Sequence, residues 1–472
     1  MVVKKDLIEL ERFITRRAFL RSSSVLGVGS TAFNSLLAEE NVKKESDNRS
    51  TSLSHFAPTA RSVIFLHMVG APSQLDLFDP KPKLKEYHGK PAPDEFIEGK
   101  RFAFLRGHPK MMASPFEFEK LNEGQEISEV LPHLKSVSKE IAIIRSMKTD
   151  DFNHGPAQMF FHSGLNRIGR PSLGSWVTYG LGSESSNLPA YVVMVSGNVP
   201  GAGATLWNNG FLPSVHQGVE FRSSGDPVLF LSNPKGVDEI KRKRVIEAIN
   251  ALNQIEYENT RDPEIITRME QYELAFKMQS SVPELTNLGS EPQSIRDMYG
   301  NGKFANHCLQ ARRLVEKGVR FVELFNSSWD HHGNIQSGIK NKAKEIDRPI
   351  AALIKDLKMR GLLEETLIVW GSEFGRTPMF QGAKIAGAGR DHHKEAYTIW
   401  MAGGGIKGGI SYGSTDEFGY YIKENPVLVR DMHATILNAL GMNHEKLTYR
   451  FQGLDQRLTG TESSKVHYQL FG

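Results

Sequence analysis

The sequence predicts an α/β fold: a mainly parallel central sheet flanked by helices, with an inserted cap or lid region. Three observations carry that prediction. From residue 303 onward, helical and strand-like stretches alternate regularly, the pattern of a parallel sheet wrapped by helices. The strand candidates are short apolar runs bounded by turn residues. Carboxylates and imidazoles gather beside these runs, where open α/β sheets bind ligands.

Taken in order, Thr15-Arg-Arg-Ala-Phe-Leu-Arg21, a weakly apolar stretch and Ser35-Leu-Leu-Ala38 read as a twin-arginine export signal over residues 1–38. This places the mature protein in the periplasm or outside the cell. Residues 39–60 are polar, lack apolar periodicity and read as a linker. The main domain is expected over 61–460, with 461–472 as a C-terminal tail. Strands are predicted at 61–68, 140–145, 190–195, 319–325, 366–370 and 397–402. Helices are predicted around 127–137 and over 303–317, 335–360 and 427–440. A Gly/Pro-rich stretch at 196–235 and a charged, helically spaced stretch at 237–281 make up the inserted region, about 196–290. Gly318 and Gly361 stand at helix C′ positions, and Pro426 marks a helix start.

Bulk composition excludes several classes. A chain of 472 residues that is 39% hydrophobic and 24% charged is an ordinary soluble globular protein. Of the formal charge of +4, the first 38 residues supply six Lys/Arg minus three Asp/Glu, or +3, so nothing points to nucleic acid. No run reaches the roughly 18 apolar residues of a membrane span. The single Cys308 excludes an internal disulfide and lies in a helical pattern that predicts a buried packing thiol.

The chemistry-bearing segments are Trp329-Asp-His-His-Gly333, Gly371-Ser-Glu-Phe-Gly-Arg376 and Gly389-Arg-Asp-His-His393. Asp330 and His332, two apart beyond a strand, can reach one cation; Asp330 or Asn334 can instead cap the next helix. Glu373 follows a strand and is either a metal ligand or the ion-pair partner of Arg376, whose other reading is a bidentate grip on an anionic substrate. His392 and His393 bring at least one imidazole to the same edge. Mixed carboxylates and imidazoles suit zinc or manganese, with calcium or magnesium as alternatives. Thr149, ahead of His154, is a hydroxyl placed as a nucleophile or simply as an N-cap. Ser73 and Asp76 hold the comparable position after the first strand, as substrate-binding residue and second-cation ligand.

The element order resembles that of the alkaline phosphatase superfamily, which includes phosphatases, sulfatases and cofactor-independent phosphoglycerate mutases. Leu367-Ile-Val-Trp-Gly-Ser-Glu-Phe-Gly375 is similar to its strand ending in a metal motif, and Gly389 to Gly405 to its later His, strand and glycines. More closely, Gly70-Ala-Pro-Ser-Gln-Leu-Asp-Leu-Phe-Asp-Pro-Lys81, Trp329-Asp-His-His-Gly333, Ser372-Glu-Phe-Gly-Arg-Thr-Pro378 and Leu447-Thr-Tyr-Arg-Phe-Gln-Gly453 resemble the exported bacterial family catalogued as domain of unknown function 1501. That resemblance implies a metal position of Asp330, His332 and His392 or His393, and a second of Glu373 with Asp76 and Thr149. It also implies that Thr149 with His154 corresponds to the mutases' hydroxyl nucleophile and histidine, at a spacing different by one. Phe374 stands where the superfamily has a metal-binding His. The expected activity is metal-dependent hydrolysis of phosphate or sulfate esters, small or polysaccharide, with Arg376 or Arg390 gripping the anion. The alternative is a degenerate relative that binds an envelope polysaccharide or an exported partner.

Overall fold

A computed structural model describes residues 54–472, apart from 122–123, 223–225, 229–230, 234 and 383. The twin-arginine segment and residues 39–53 of the linker lie outside the described residues. The strands are β1 (Ser62–Met68), β2 (Ile141–Lys148), β3 (Tyr191–Ser196), β4 (Val219–Phe221), β5 (Phe321–Asn326), β6 (Thr366–Gly371), β7 (Gly375–Gln381), β8 (Gly389–His393), β9 (Tyr397–Ala402), β10 (Ser411–Tyr412) and β11 (Val427–Leu428). The main sheet runs β10-β2-β9-β6-β1-β5-β3-β4, with β11 also paired to β2. Every strand in it is parallel except β9, which runs against both β2 and β6.

The apolar runs become strands covered on both faces: every residue of β1, β3, β5, β6 and β9 is buried. Alternation sends Ile64, Leu66 and Met68 of β1 to a core shared with helices α5 (Lys303–Glu316) and α6 (Ile335–Met359). Val63 and Phe65 face the other way, into a core with α1 (His154–Ser163), α2 (Leu173–Leu181) and α7 (Val429–Ala439). Two further helices, α3 (Glu239–Thr260) and α4 (Pro263–Thr286), pack on one another within the stretch expected to be helical. Gly318 and Gly361 follow α5 and α6 at φ +83° and +68°, the left-handed C′ conformation. Cys308 is fully buried in α5, and burial pushes its thiol pKa well up. Among the described residues no helix is long and apolar enough to cross a membrane.

Three expectations change. Around 127–137 only Pro132–Lys135 is helical, while Glu126–Ser128 pairs as a strand with Phe118–Lys120. The helix expected from 427 begins at Val429, because Val427 and Leu428 pair with Met147 and Lys148 of β2. Its start is set by Asp431, whose carboxylate accepts the Leu428 N–H at 3.1 Å. Gly375–Gln381 and Gly389–His393, where no strand is predicted, pair as the antiparallel strands β7 and β8.

Candidate metal centre

Four parallel strands release their next residues at one sheet edge. After β2 come Thr149 and His154, after β5 Asp330 and His332, after β6 Glu373, and after β1 the Gly70 turn. Because β9 is antiparallel, its beginning lies at that same edge, and β8 just ahead of it delivers His392. Close backbone approach requires glycine twice. A Cβ on Gly70, at φ +108°, would lie 2.6 Å from the Asp330 nitrogen, and one on Gly389 would lie 2.1 Å from the His332 carbonyl carbon.

His154, Asp330, His332 and His392 each offer one ligand atom, and these atoms all lie within 4.8 Å of one another. Asp330 Oδ1 is 2.8 Å from His332 Nε2 and 3.4 Å from His392 Nε2, and Oδ2 is 3.3 Å from His154 Nε2. The far nitrogen of every ring is engaged by an oxygen. His154 Nδ1 lies 2.7 Å from Glu373 Oε1, His332 Nδ1 2.6 Å from Gln381 Oε1, and His392 Nδ1 2.6 Å from the Phe152 carbonyl. The Phe152 carbonyl and the Glu373 carboxylate accept, so those rings carry hydrogen on Nδ1 and aim Nε2 inward. His332 and His392 thus bring two Nε2 atoms within 3.0 Å, and the buried His154 Nε2 has no hydrogen-bond partner. Three Nε2 atoms converging on one carboxylate fit a bound cation, whose place a proton shared with Asp330 takes in the metal-free protein. Three imidazoles and one carboxylate suit zinc or manganese better than calcium or magnesium.

Charge follows geometry. Burial alone would raise Asp330, but His154, His332, His392 and Arg376 outweigh it and hold the carboxyl far below its usual range. Burial alone would lower His154, yet Asp330 and Glu373 push it up to about 9. Burial dominates at His392 and lowers it. A cation must expel the His154 proton. Affinity for Zn²⁺ therefore rises about tenfold per pH unit from roughly pH 6.5 to pH 9 and then levels off, which calorimetric titration at several pH values checks. For the metal-free protein the signs are opposite. The raised His154 contributes stability that is complete below its ordinary 6.5 and is lost as pH rises through about 9. The depressed Asp330 and Glu373 contribute stability that is lost in acid.

Behind His154 lies a buried polar chain. Glu373 is wholly buried and accepts from Gly70 N–H at 3.1 Å, Gln158 Nε2 at 3.2 Å and Ser372 Oγ at 2.5 Å. His67 Nε2 is 3.1 Å from its other side, His162 Nε2 is 3.1 Å from His67 Nδ1, and His162 Nδ1 is 2.9 Å from Glu323 Oε1. That last contact is close without being a straight hydrogen bond, and Tyr191 donates its hydroxyl to the other Glu323 oxygen. Burial by itself would raise Glu373, but its bonds to His154 and His67 hold it well below the carboxylate range. Glu373 is therefore the carboxylate that orients His154, one of the four ligand candidates. Glu373→Gln should weaken zinc binding about 10- to 100-fold without abolishing it, measured by competition with a chelating dye.

The remaining sequence-derived candidates settle elsewhere. Asp76 and Arg390, both fully buried, form a bidentate pair at 2.8 and 3.1 Å, which takes Asp76 from the metal and Arg390 from the substrate. Arg376 is also buried. It bonds Asp330 at 2.6 Å and the carbonyls of Ala71, Gly70 and Arg390, so it braces the Asp330 loop and has no free edge for an anion. His393 turns to the Tyr420 carbonyl at 2.7 Å, away from His392. Thr149 and Ser73 have buried hydroxyls without hydrogen-bond partners, and no hydrogen bond or ion pair between described residues joins either to the four ligand candidates.

Sequence reasoning named His154 as a catalytic histidine beside Thr149 and not as a metal-ligand candidate, and it missed other participants. Gln158 and His162 follow His154 at every fourth residue on α1, a polar stripe visible in the sequence. His67 and Glu323 each interrupt an apolar strand, another readable signal. Phe104 had no local signal: its half-exposed ring stands over the mouth, 4.6 Å from His332 and 5.6 Å from His392. Phe374 is buried between His154 and His392, at 4.8 and 4.7 Å. It fills with carbon the place the resemblance assigns to another ligand.

A family model described as protein of unknown function (DUF1501) matches residues 60–470. The chain belongs to the DUF1501 family. No curated protein matches it. Among solved structures, this DUF1501 protein is similar to the alkaline phosphatase from the Antarctic bacterium TAB5, at 11% identity over 82% of this chain and 99% of that one, TM-score 0.34. It is similar to the lipoteichoic acid synthase LtaP from Listeria monocytogenes, at 10% identity over 89% and 79%, TM-score 0.35. It is also similar to the PsFucS1 sulfatase from Pseudoalteromonas sp., at 12% identity over 82% and 68%, TM-score 0.36. Likenesses this distant add nothing to what the site itself says.

Proposed function

We propose that this DUF1501 protein is an exported, divalent-metal-dependent hydrolase of phosphate or sulfate esters, small or carried on a polysaccharide, and that the twin-arginine machinery exports it. One observation carries the catalytic part: three imidazole Nε2 atoms and the Asp330 carboxylate converge, each ring held by an oxygen at Nδ1 or, for His154, by Glu373. A divalent cation there supplies a lowered pKa for an attacking water and offsets negative charge on the transferred group.

The chain's own residues do the positioning. Glu373, Gln381 and the Phe152 carbonyl fix the three rings, and Arg376 fixes Asp330 while balancing its charge. Asp330 remains 40% exposed, which leaves the centre open to an ester from solvent. No hydrogen bond between described residues activates the Thr149 hydroxyl, so water is the nucleophile in this reading.

The test is reconstitution. The full chain loaded with Zn²⁺ or Mn²⁺ should hold one ion and hydrolyse p-nitrophenyl phosphate or p-nitrophenyl sulfate, lose activity to a chelator and recover it on metal return. Absence of stoichiometric metal overturns the proposal. One bound ion with no turnover of either ester supports instead the second reading, a metal-holding binding protein, which Phe374 between two ligand rings favours.

A further inference from the structure

We propose that helix α3 is a self-docking surface through which two copies of this protein associate antiparallel. No residue of α3 is buried, although the helix is 22 residues long and packs along α4. Val245, Leu252 and Ile255 are 53%, 68% and 58% exposed, and Ala248 is exposed with them. Their spacing of three, four and three residues puts all four on one stripe. Asn250, whose side chain reaches Glu273 of α4 at 3.2 Å, marks the opposite face. An apolar seam of this spacing, turned away from its own core, is the kind of surface a second helix covers.

Charge selects the partner and the direction. Lys241, Arg242, Lys243 and Arg244 stand near the start of α3, while Glu256 and Glu258 stand in its last turns. Asp238 caps the start of α3 and Glu239 stands in its first turn, but beyond them the order runs against the helix dipole, which favours acids at the start and bases at the end, so α3 carries it at a cost to itself. An antiparallel second copy removes the cost by setting each basic end against an acidic end. Crossing at the level of Asn250, the two helices place Val245 opposite Ile255 of the second copy and Ala248 opposite Leu252, with Arg244 against Glu258 along one flank of the seam and Arg242 against Glu256 along the other. Small then meets large along the seam. The contact is isologous, so each pair occurs twice. Neither Arg244 nor Glu258 has an ion-pair partner among the described residues that would compete; Glu258 only accepts from Gln254 Nε2 at 3.2 Å. A membrane surface suits the helix less well, because its four Lys/Arg and four Glu sum to zero and give no attraction to anionic lipid.

The seam is short, so the expected dissociation constant is of the order of 10 µM. Sedimentation velocity on the full chain, from about 1 to 200 µM, should show a monomer–dimer equilibrium. Leu252→Glu should abolish it. Arg244→Glu and Glu258→Arg should each weaken it about tenfold, and the double variant should return it to near the wild-type value. A wild-type chain that stays monomeric throughout overturns the proposal, as does a dimer indifferent to Leu252→Glu. A charge swap that fails to restore association overturns the antiparallel register. Binding of monomeric protein to phosphatidylglycerol vesicles, lost in Leu252→Glu, would show that a lipid surface occupies the seam instead. All these positions are solvent-exposed, and circular dichroism on each variant confirms that its fold is intact.

Discussion

Asp330→Asn is expected to abolish stoichiometric zinc or manganese binding and to lower ester hydrolysis by about 10³ or more. Asp330 is the only carboxylate in the four-residue cluster, and both its oxygens face imidazoles of the other candidate ligands. Asparagine keeps the shape but removes the charge, and its amide hydrogens would meet the inward lone pairs that a cation needs. The change also leaves the buried Arg376 guanidinium without its carboxylate, while its bonds to three carbonyls remain. Because Asp330 is itself partly exposed, the loss of stability should be modest, about 1–2 kcal/mol. Elemental analysis after dialysis reads the metal, and thermal melting reads the stability. His393→Ala is the control: with its ring committed to the Tyr420 carbonyl, it should retain one ion per chain. Retention of the ion by Asp330→Asn would remove Asp330 from the ligand set.

Much of this was readable before folding, for a physical reason. Apolar runs such as Ser62–Met68 and Phe321–Asn326 are continuous because both faces are covered, so strand identity survives without any partner being known. The polar residues at their ends then share an edge by topology alone, which placed Asp330 and His332 together. What stayed hidden were relations between segments. Whether His392 or His393 enters the cluster depends on the β7–β8 hairpin register, which shifts between Arg390 and His392. Whether Glu373 ligates or orients depends on His154 arriving from α1, more than two hundred residues away in sequence. Arg376 and Arg390 carried the right chemistry for gripping an anion, yet burial committed both to the protein. Spacing along a chain reports local faces, and it does not report which charge will be desolvated with which partner.

That lesson makes Asp76 the sharpest test of how the centre is held. Asp76→Ala should destabilise the protein by about 3–5 kcal/mol, whether or not metal is present, because it leaves Arg390 buried without a counter-charge. Arg390 also donates to the carbonyls of Met112 and Thr377, and it sits on β8 two residues before His392. The ion pair thus pins the strand that carries the candidate ligand His392. Two roles for Asp76 then give opposite results. A metal ligand replaced by alanine lowers metal affinity and leaves the melting temperature of the metal-free protein nearly unchanged. A pinning residue lowers that melting temperature by many degrees and weakens metal only through displacement of His392. Replacing the pair by an apolar one, Asp76→Leu with Arg390→Met, separates the roles further: it should recover much of the lost stability, since removing both buried charges costs less than removing one. If the double variant is stable and still binds one ion, the pair supports the centre without touching the metal. Loss of metal from a stable double variant would return Asp76 to the ligand set.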